Sequence, residues 1–297
     1  MADFITYLLQ KGCSEATSKA YGYQSQRFLS WASTNHIEPE FITYPQLIQY
    51  IQHLKIRGIA QNTIKATLTA LEHYYNYLIT LKLLSHNPIP SINIRTKKIR
   101  PLYHILTPEQ LQALHTDFTP KAQRSQTPFY TWLAFRKKVT VGLMVHQGLA
   151  TNDLGALEVK HLDFDKGTLQ VPANRKHEAR TLPLQPTQIM ELYRYLQEIH
   201  PLLIRAFKAN ESFLLLHGHQ HFREPQQRLL QRIRKQQPLV TSIRQIRASV
   251  IVHWLKSYNL REVQYMAGHK SVQSTEAYLQ DDTEGLQLAI DQFFPLG

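Results

Sequence analysis

Val240-Thr-Ser-Ile-Arg-Gln-Ile-Arg-Ala-Ser-Val250 opens the segment around which this chain is organised. Apolar residues recur in and after it at helical spacing, so Arg244 and Arg247 fall on one face of a predicted helix. The apolar positions are Ile243, Ile246, Val250, Ile251, Trp254 and Leu255. Two guanidinium groups on one face can hold a phosphate through paired, charge-assisted hydrogen bonds. The segment therefore predicts a phosphate-binding helix.

The next segment leads through a turn to a tyrosine. Residues Leu260 to Met266 predict a short helix that stops at Gly268, where helices commonly end, and this leaves His269 at the turn. Tyr278 follows nine residues later, after Ser-Thr-Glu at 274–276, which suits a helix start. Arginine binds phosphate, histidine moves a proton near neutral pH, and a phenol can be a covalent nucleophile. Together these residue types predict a phosphoryl transfer that uses no metal.

This combination resembles the tyrosine recombinase (phage integrase) family, which includes the Xer recombinases and transposon integrases. The family pattern is His/Lys-x-x-Arg, a Gly-His at a helix end, and a nucleophilic tyrosine about nine residues on. The matching positions here are Arg244 with Arg247, Gly268-His269, and Tyr278. The resemblance implies a mainly α protein with a small antiparallel β-sheet, built from a helical core-binding domain and a catalytic domain. Arg244 stands where the family usually has histidine.

Composition limits the class of protein. There are 34 Lys+Arg against 22 Asp+Glu, a formal net charge of +12, and residues 1–100 hold 11 basic and 5 acidic side chains. Positive charge on both parts suits a protein that binds nucleic acid from two sides, although a merely basic, solvated surface fits the charge alone. No apolar run approaches the roughly 18 residues of a membrane helix, nothing reads as a signal peptide, and Cys13 is the single cysteine. We expect a soluble protein of a reducing cytoplasm, and the resemblance implies a prokaryotic protein associated with the nucleoid.

Residues 1–90 predict the helical DNA-binding domain. Amphipathic segments begin near Phe4, Ser14, Pro45 and Asn62, and no strand pattern interrupts them. The resemblance to the family's core-binding domain extends over this region, through 14–17, 28–31, 58–64 and 87–88. As a group, polar positions on the second and fourth helices are predicted to contact phosphates and base edges, although each alone could be a helix cap or a solvated residue. They are Thr17, Lys19, Gln24, Arg27, Asn62, Thr63, Lys65 and Thr67.

Residues 91–104 read as a basic linker. The stretch 91–100 lacks helical periodicity, and Pro88, Pro90 and Pro101 flank it. Its basic residues are predicted to follow a DNA backbone, with an idle tether as the alternative. They are Arg95, Lys97, Lys98 and Arg100.

Residues 105–297 form the predicted catalytic domain. Thr107 caps a helix that begins at Pro108, and a further helix runs from about Thr131 to Gln147. Gly-Leu-Ala-Thr-Asn-Asp-Leu at 148–154 then matches the family's Gly-Leu-Arg-x-x-Glu/Asp-Leu, with Ala150 in place of the first catalytic arginine. Because an alanine cannot bind phosphate, the usual site is incomplete.

The region 159–184 predicts a small sheet with a basic hairpin tip at 174–180. In the family a catalytic lysine occupies such a tip, and counting back from Pro183 gives Arg175, with Lys176 beside it. Arginine is a poor acid because its pKa exceeds about 12, so we favour Lys176 as proton donor to the leaving 5′ oxygen. Some conjugative-transposon integrases also lack the first arginine and are thought to use one from a nearby segment. By that resemblance Arg175 is the leading substitute and Arg180 the second, unless both only touch the DNA backbone.

The remaining features are less specific. A basic helix before 238 either follows DNA backbone or is merely solvated, and alternating histidines at 217, 219 and 221 lack the further ligands of a zinc site. We expect no metal and no cofactor. An apolar tail helix at 284–295 is predicted to dock either on a neighbouring protomer or on its own domain.

By this resemblance the chain is a site-specific DNA recombinase of the integrase or transposase type, from a mobile element. Tyr278 would form a 3′-phosphotyrosine within a tetramer on two duplexes that carry a specific site. The alternative is a recombinase-derived DNA-binding protein that has lost cleavage, which Ala150 and Arg244 favour and the other matching residues oppose. A type IB topoisomerase, which shares the chemistry but acts as a monomer, is more distant.

Overall fold

The computed structural model describes residues 2–89, 103–117, 128–216 and 223–279. The chain divides into two compact units, Met1–Arg100 and Pro101–Gly297, and each has its own hydrophobic core. Three sets of sequence predictions lie outside the described residues: the linker cations Arg95, Lys97, Lys98 and Arg100, the histidines at 217, 219 and 221, and the tail helix at 284–295. Within the described ranges, no helix combines the length and apolar character needed to cross a membrane.

The described residues of the first unit, 2–89, form helices joined by short turns and contain no strand. Its elements are α1 (Ala2–Gln10), α2 (Glu15–Thr34), α3 (Tyr44–Ile56) and α4 (Gln61–Thr80), with a 3₁₀ turn at Pro39–Phe41. Ser14 caps α2 by accepting the Thr17 N–H, and Thr43 shares a capping box with Gln46 at the start of α3. Local side-chain chemistry therefore fixes where these helices begin.

An aromatic core joins α2, α3 and α4. The Phe28 ring lies 5.1 Å from that of Tyr50 and 6.3 Å from that of Tyr75, both edge to face, and all three side chains are buried. The Tyr75 hydroxyl donates to the Pro39 carbonyl at 2.8 Å, so this buried polar group is satisfied. The first unit thus presents its polar residues from a firmly packed bundle.

The second unit surrounds a small sheet with helices. Its described elements are α5 (Pro108–Asp117), α6 (Pro128–Gln147), α7 (Thr151–Ala156), β1 (Leu162–Asp163), β2 (Thr168–Val171), β3 (Arg180–Pro183), α8 (Pro186–Arg194), α9 (His200–Phe207), α10 (Arg223–Gln236), α11 (Ile243–Ser257), α12 (Leu260–Ala267) and α13 (Val272–Glu276). A π-helical turn at Tyr195–Ile199 joins α8 to α9. The strands are antiparallel in the order β1-β2-β3, with Leu169 opposite Leu182. The predicted fold class, mainly α with a small antiparallel sheet, is confirmed.

Three elements of this unit carry the site described below. Helix α6 is buried along most of its length, because Val141, Leu143 and Met144 pack into the core, and it leads directly to α7. Strand β3 places the hairpin tip beside α12, since the Arg180 Nε donates to the Met266 carbonyl at 3.0 Å. Helix α11 lies beside both neighbouring segments: Val250 packs beside Gly148, which follows α6, and the Arg247 side chain donates to the Ala267 carbonyl at the end of α12.

Candidate active site

Arg247 is buried at the centre of the site. It lies one turn into α11, which Ser242 caps, and its side chain is held between two chain segments. Its Nη1 donates to the Gly148 carbonyl and its Nη2 to the Ala267 carbonyl, both at 2.6 Å, and the residue is 6% exposed. Burial lowers the pKa of Arg247, while the Asp153 carboxylate and the Tyr278 phenol raise it. A guanidinium fixed in this way keeps its charge in one position before any ligand arrives.

His269 lies beside Arg247 in a defined tautomer. Gly268 ends α12 with φ +69, and His269 then projects towards the site. The His269 Nε2 lies 3.3 Å from the Arg247 Nη2, and its Nδ1 lies 2.9 Å from the Thr275 Oγ1. A guanidinium nitrogen can only donate, so the His269 Nε2 accepts and its Nδ1 carries the proton. His269 therefore presents an unprotonated nitrogen to the site.

Tyr278 completes this group. Its ring lies parallel to that of His269, with centroids 5.6 Å apart and planes 6° from each other. The half-buried ring also packs against the small cluster of Ile251, Val263 and Ala267. The structure thus brings together Arg247, His269 and Tyr278, three of the side chains that the sequence predicted to act together.

Asp153 organises a second, adjoining network. It is 0% exposed and accepts from the Ala150 N–H at 3.2 Å, the Asn174 Nδ2 at 2.7 Å, the His177 Nδ1 at 2.8 Å and the Arg180 Nη2 at 2.8 Å. Burial alone would raise the pKa of this carboxyl, but the hydrogen bond from His177 and the Arg180 charge hold the pKa well below its usual range. Asp153 is therefore ionised and satisfied inside the protein.

The hairpin tip is attached to the His269 turn. His177 and His269 form an isolated antiparallel bridge, and the Glu178 N–H donates to the Gly268 carbonyl at 2.9 Å. A Cβ placed on Gly268 would lie 2.5 Å from the Arg180 Nη1, so a side chain there has no room. Glycine at this position serves both the left-handed backbone and the close approach of Arg180.

The structure places the other predicted arginines and the lysine of the catalytic unit in different surroundings, and it contradicts one prediction. Arg244 and Arg247 differ in their surroundings: Arg244 is exposed near the start of α11 and bonds to no other described residue, whereas Arg247 turns into the interior. Arg180 was predicted to contact DNA backbone, and this is wrong because its side chain is 0% exposed and paired with Asp153 at 2.8 Å. Arg175 and Lys176 lie exposed at the hairpin tip.

The predicted DNA-binding residues of the first unit also divide. Asn62, Thr63 and Lys65 are exposed near the start of α4, and Lys19 is exposed on α2 in an ion pair with Glu15. Three further positions are half-buried: Gln24, Arg27 and Thr17. The Thr17 hydroxyl is hydrogen-bonded to that of Ser14, the residue that caps α2.

Thr67 is the member of that group that cannot contact DNA in this arrangement. It is 1% exposed, and its hydroxyl lies 3.0 Å from the Thr63 carbonyl and 3.2 Å from the Gln24 Oε1. The prediction for Thr67 is wrong because its face of α4 packs on α2.

Sequence reasoning did not assign roles to three members of the Asp153 network. Asp153 occupies the acidic position of the Gly-Leu-Ala-x-x-Asp segment, which was the available signal for it. Asn174 and His177 lie in the hairpin tip, among the basic residues of 174–180. Their contribution depends on a contact across more than 20 residues, so no local pattern indicates it.

With this geometry in place, the comparisons with known proteins identify the class. Residues 105–284 match the phage integrase family, and residues 1–82 match the phage integrase N-terminal SAM-like domain. The chain belongs to the phage integrase family, the tyrosine recombinases. Family membership supports a recombinase that acts in site-specific DNA recombination.

Among individual relatives, the chain is similar to the tyrosine recombinase XerD of Chlorobaculum tepidum, with 26% identity over 99% of this chain and 95% of that protein. XerD of Listeria innocua is 26% identical over 99% and 97%. A lambda integrase dimer bound to a COC′ core site shares the fold, with a TM-score of 0.63, 16% identity, and coverage of 95% and 94%. So does XerH site-specific recombinase bound to its difH substrate, with a TM-score of 0.61, 17% identity, and coverage of 86% and 74%.

Proposed function

We propose that this protein is a site-specific DNA recombinase that cuts and rejoins strands through a 3′-phosphotyrosine at Tyr278. The observation that carries the proposal is the parallel packing of the Tyr278 and His269 rings beside the buried Arg247. A nucleophile, a proton acceptor and a fixed positive charge are thereby gathered at one place. The substrate is double-stranded DNA carrying a specific recombination site.

In the cleavage step, the Tyr278 hydroxyl oxygen attacks the scissile phosphorus and the bond from phosphorus to the 5′ oxygen breaks. The phenolic proton passes to the unprotonated His269 Nε2, and Lys176 at the hairpin tip gives a proton to the leaving 5′ oxygen. The freed 5′ hydroxyl then attacks the phosphotyrosine of a partner strand. Because one phosphoester replaces another, the exchange requires neither ATP nor a metal.

Positive charge stabilises the pentavalent phosphate. Arg247 provides it from a fixed position, and the exposed Arg244 can turn towards a bound phosphate from the first turn of α11. Of the two hairpin arginines that could act in place of the family's first arginine, Arg175 is exposed, whereas Arg180 is held by Asp153. Loss of one such donor costs roughly 3 kcal/mol of barrier in comparable sites.

Recombination by this route needs four protomers on two duplexes. The net charge of +12 suits a protein that neutralises DNA phosphates. The lambda integrase and XerH structures that share this fold are complexes with DNA sites, which supports the same partner for this chain. The same proposal includes contact between protomers through the tail at 284–295. It also places the protein on the DNA of a prokaryotic nucleoid.

A second candidate is a DNA-binding protein that has lost cleavage. Ala150 favours it, and so does Arg244, which is exposed and has no bonding partner in the described part of the chain, because both weaken phosphate stabilisation relative to the family pattern. The arrangement of Arg247, His269 and Tyr278 favours retained catalysis. The two candidates differ in one observable, a covalent bond to DNA.

A nicked suicide duplex carrying the protein's own site, recovered by sequencing DNA that co-purifies with it, separates these candidates. We expect covalent adduct on a denaturing gel for the wild type and none for Tyr278→Phe. Tyr258→Phe, which changes an exposed tyrosine at the end of α11, is the matched control and should retain the adduct. Specific binding without adduct, on a site verified by footprinting, would favour the DNA-binding candidate.

A further inference from the structure

We propose that His177 binds the scissile phosphate and supplies the positively charged hydrogen-bond donor that is absent at Ala150. This inference rests on the proposed function, since it concerns the same phosphate. His177 lies in the hairpin tip, but unlike its neighbours Arg175 and Lys176 it is anchored to the site on two sides. Three features of His177 fit this role: the tautomer of its ring, its distance from His269, and the exposure of its Nε2.

Asp153 determines the orientation of the His177 ring. The Nδ1 of His177 lies 2.8 Å from the Asp153 Oδ1, and an ionised carboxylate can only accept. Nδ1 therefore carries a proton, and the other nitrogen, Nε2, is the one that can gain a second proton. In the protonated ring, Nε2 becomes a charged donor that the buried carboxylate stabilises.

The Nε2 of His177 is available to a ligand. It has no hydrogen-bond partner among the described residues. It is also not one of the buried, unpartnered side-chain atoms of the described chain, so it reaches the protein surface. The side chain as a whole is 13% exposed, which leaves an edge of the ring open while the rest is packed.

His177 is within reach of a phosphate held by the other site residues. Its ring centroid lies 6.3 Å from that of His269, whose own ring contacts Tyr278 and Arg247. Charge-assisted N–H···O bonds span about 2.7–2.9 Å, so a protonated Nε2 of His177 can bond to an oxygen of a phosphate that lies beside His269 and Tyr278. The phosphate would then lie between His177 and His269, beside the attacking phenol.

Two other hairpin cations fit this role less well. Arg180 is buried without exposure, and its Nε, Nη1 and Nη2 donate to the Met266 carbonyl, the Glu178 carbonyl and Asp153. Arg175 is exposed, and no described contact fixes its position. His177 combines a fixed position with a free nitrogen.

The charges around His177 come from every side of the site. Asp153 on α7 is negative, Arg180 on β3 and Arg247 on α11 are positive, and Glu178 and Lys270 lie at its edge, 4.0 Å apart. Because Asp153 is shared with Arg180, we expect the negative charge of an arriving phosphate to act together with Asp153 in stabilising a protonated His177 in the complex. The second proton of His177 comes from solvent. Binding of the phosphate favours binding of the proton, and binding of the proton favours binding of the phosphate to the same extent.

The test is a binding cycle that does not depend on cleavage. In a Tyr278→Phe background, affinity is measured for duplexes with a phosphodiester or a methylphosphonate at the scissile position, which differ in one negative charge. We expect His177→Ala to reduce the preference for the phosphodiester about tenfold, equivalent to about 1.4 kcal/mol. Lys166→Ala removes an exposed charge from the turn between β1 and β2 and should leave the preference unchanged.

Two outcomes would overturn the inference. In the first, His177→Ala weakens binding of both duplexes equally, as expected of a residue that only positions the hairpin. In the second, Arg175→Ala removes the preference and His177→Ala does not. His177→Arg, which restores a charge, should recover much of the preference, and thermal unfolding of each variant shows whether the fold is intact.

Cleavage assays add a separate arm. If the wild type forms adduct, His177→Ala should cleave the phosphodiester more slowly than the wild type does. The methylphosphonate, which has no negative charge to neutralise, should restore much of the cleavage rate of this variant. Relief instead by a 5′-bridging sulfur, a leaving group that needs no proton, would make His177 an acid and contradict this inference. Absence of wild-type adduct on every substrate would count against the proposed function, while the binding cycle would still decide the role of His177.

Discussion

The site around Arg247 and the exposed start of α4 are polar regions of opposite construction. In the site, Arg247, Asp153 and Arg180 are buried and bonded to fixed partners before any DNA is present. On α4, Asn62 and Lys65 are exposed to solvent. The first region is preorganised for charge that develops in a reaction, and the second can adapt to a DNA surface. Substitutions should therefore alter stability and chemistry in the first region, and affinity and salt dependence in the second.

The largest effect is expected from breaking the buried ion pair. Arg180→Ala leaves Asp153 charged without its partner and should lower the free energy of unfolding of the second unit by about 3–5 kcal/mol. Arg194→Ala, which breaks the exposed pair with Glu198, should cost less than about 1 kcal/mol. Urea unfolding of both variants measures the difference, and similar small losses would contradict the preorganised site.

The next effect concerns two glycines with left-handed backbones. Gly268→Ala adds a Cβ 2.5 Å from the Arg180 Nη1, in addition to the strain of φ +69. Gly12→Ala has φ +80 but nothing within 4 Å of the added atom, so it carries the strain alone, about 1–2 kcal/mol. We expect Gly268→Ala to cost about 2 kcal/mol more than its control in chemical unfolding. Equal costs would mean that Arg180 moves aside freely.

A smaller effect is expected from the protonation of a half-buried histidine, compared with an exposed one. Burial, together with the His115 charge, lowers the pKa of His146 to about 4. The unfolded chain, with a pKa near 6.5, then binds the proton first, so stability falls as pH decreases below about 6.5. Between pH 7 and pH 5 this contributes about 1–2 kcal/mol of lost stability.

The check is urea unfolding of the wild type and His146→Gln at both pH values. The variant should lose less stability on acidification than the wild type. His86→Gln changes an exposed histidine of the first unit and should keep the wild-type dependence. An unchanged pH dependence in His146→Gln would show that the burial of this ring has no such consequence.

The smallest effect is expected on α4. Lys65→Ala should weaken DNA binding by a few-fold and reduce the slope of log affinity against log salt by about 0.9, the value for one phosphate contact. Thermal stability should stay unchanged. Lys82→Ala, another exposed lysine of the first unit but beyond the end of α4, is the control for overall charge. Identical slopes for the two variants would remove Lys65 from the DNA interface.

Features decided by local chemistry could be predicted from the sequence. Ser14 and Thr107 cap helices, and Gly268 ends one, because each acts on backbone groups a few residues away. The burial of Thr67 and Arg180 could not be predicted, since it depends on how α4 packs on α2 and how β3 packs on α12. The same is true of His177, whose role depends on a contact with Asp153.

Peptide mapping of the covalent adduct tests the central claim most directly. The wild type is trapped on a nicked suicide duplex, digested, and analysed by mass spectrometry for peptides that carry nucleotide. The account predicts nucleotide on the peptide that contains Tyr278, joined through the 3′ phosphate of the cut strand. Nucleotide on another tyrosine, a bond through a 5′ phosphate, or no adduct on a footprinted site would contradict it.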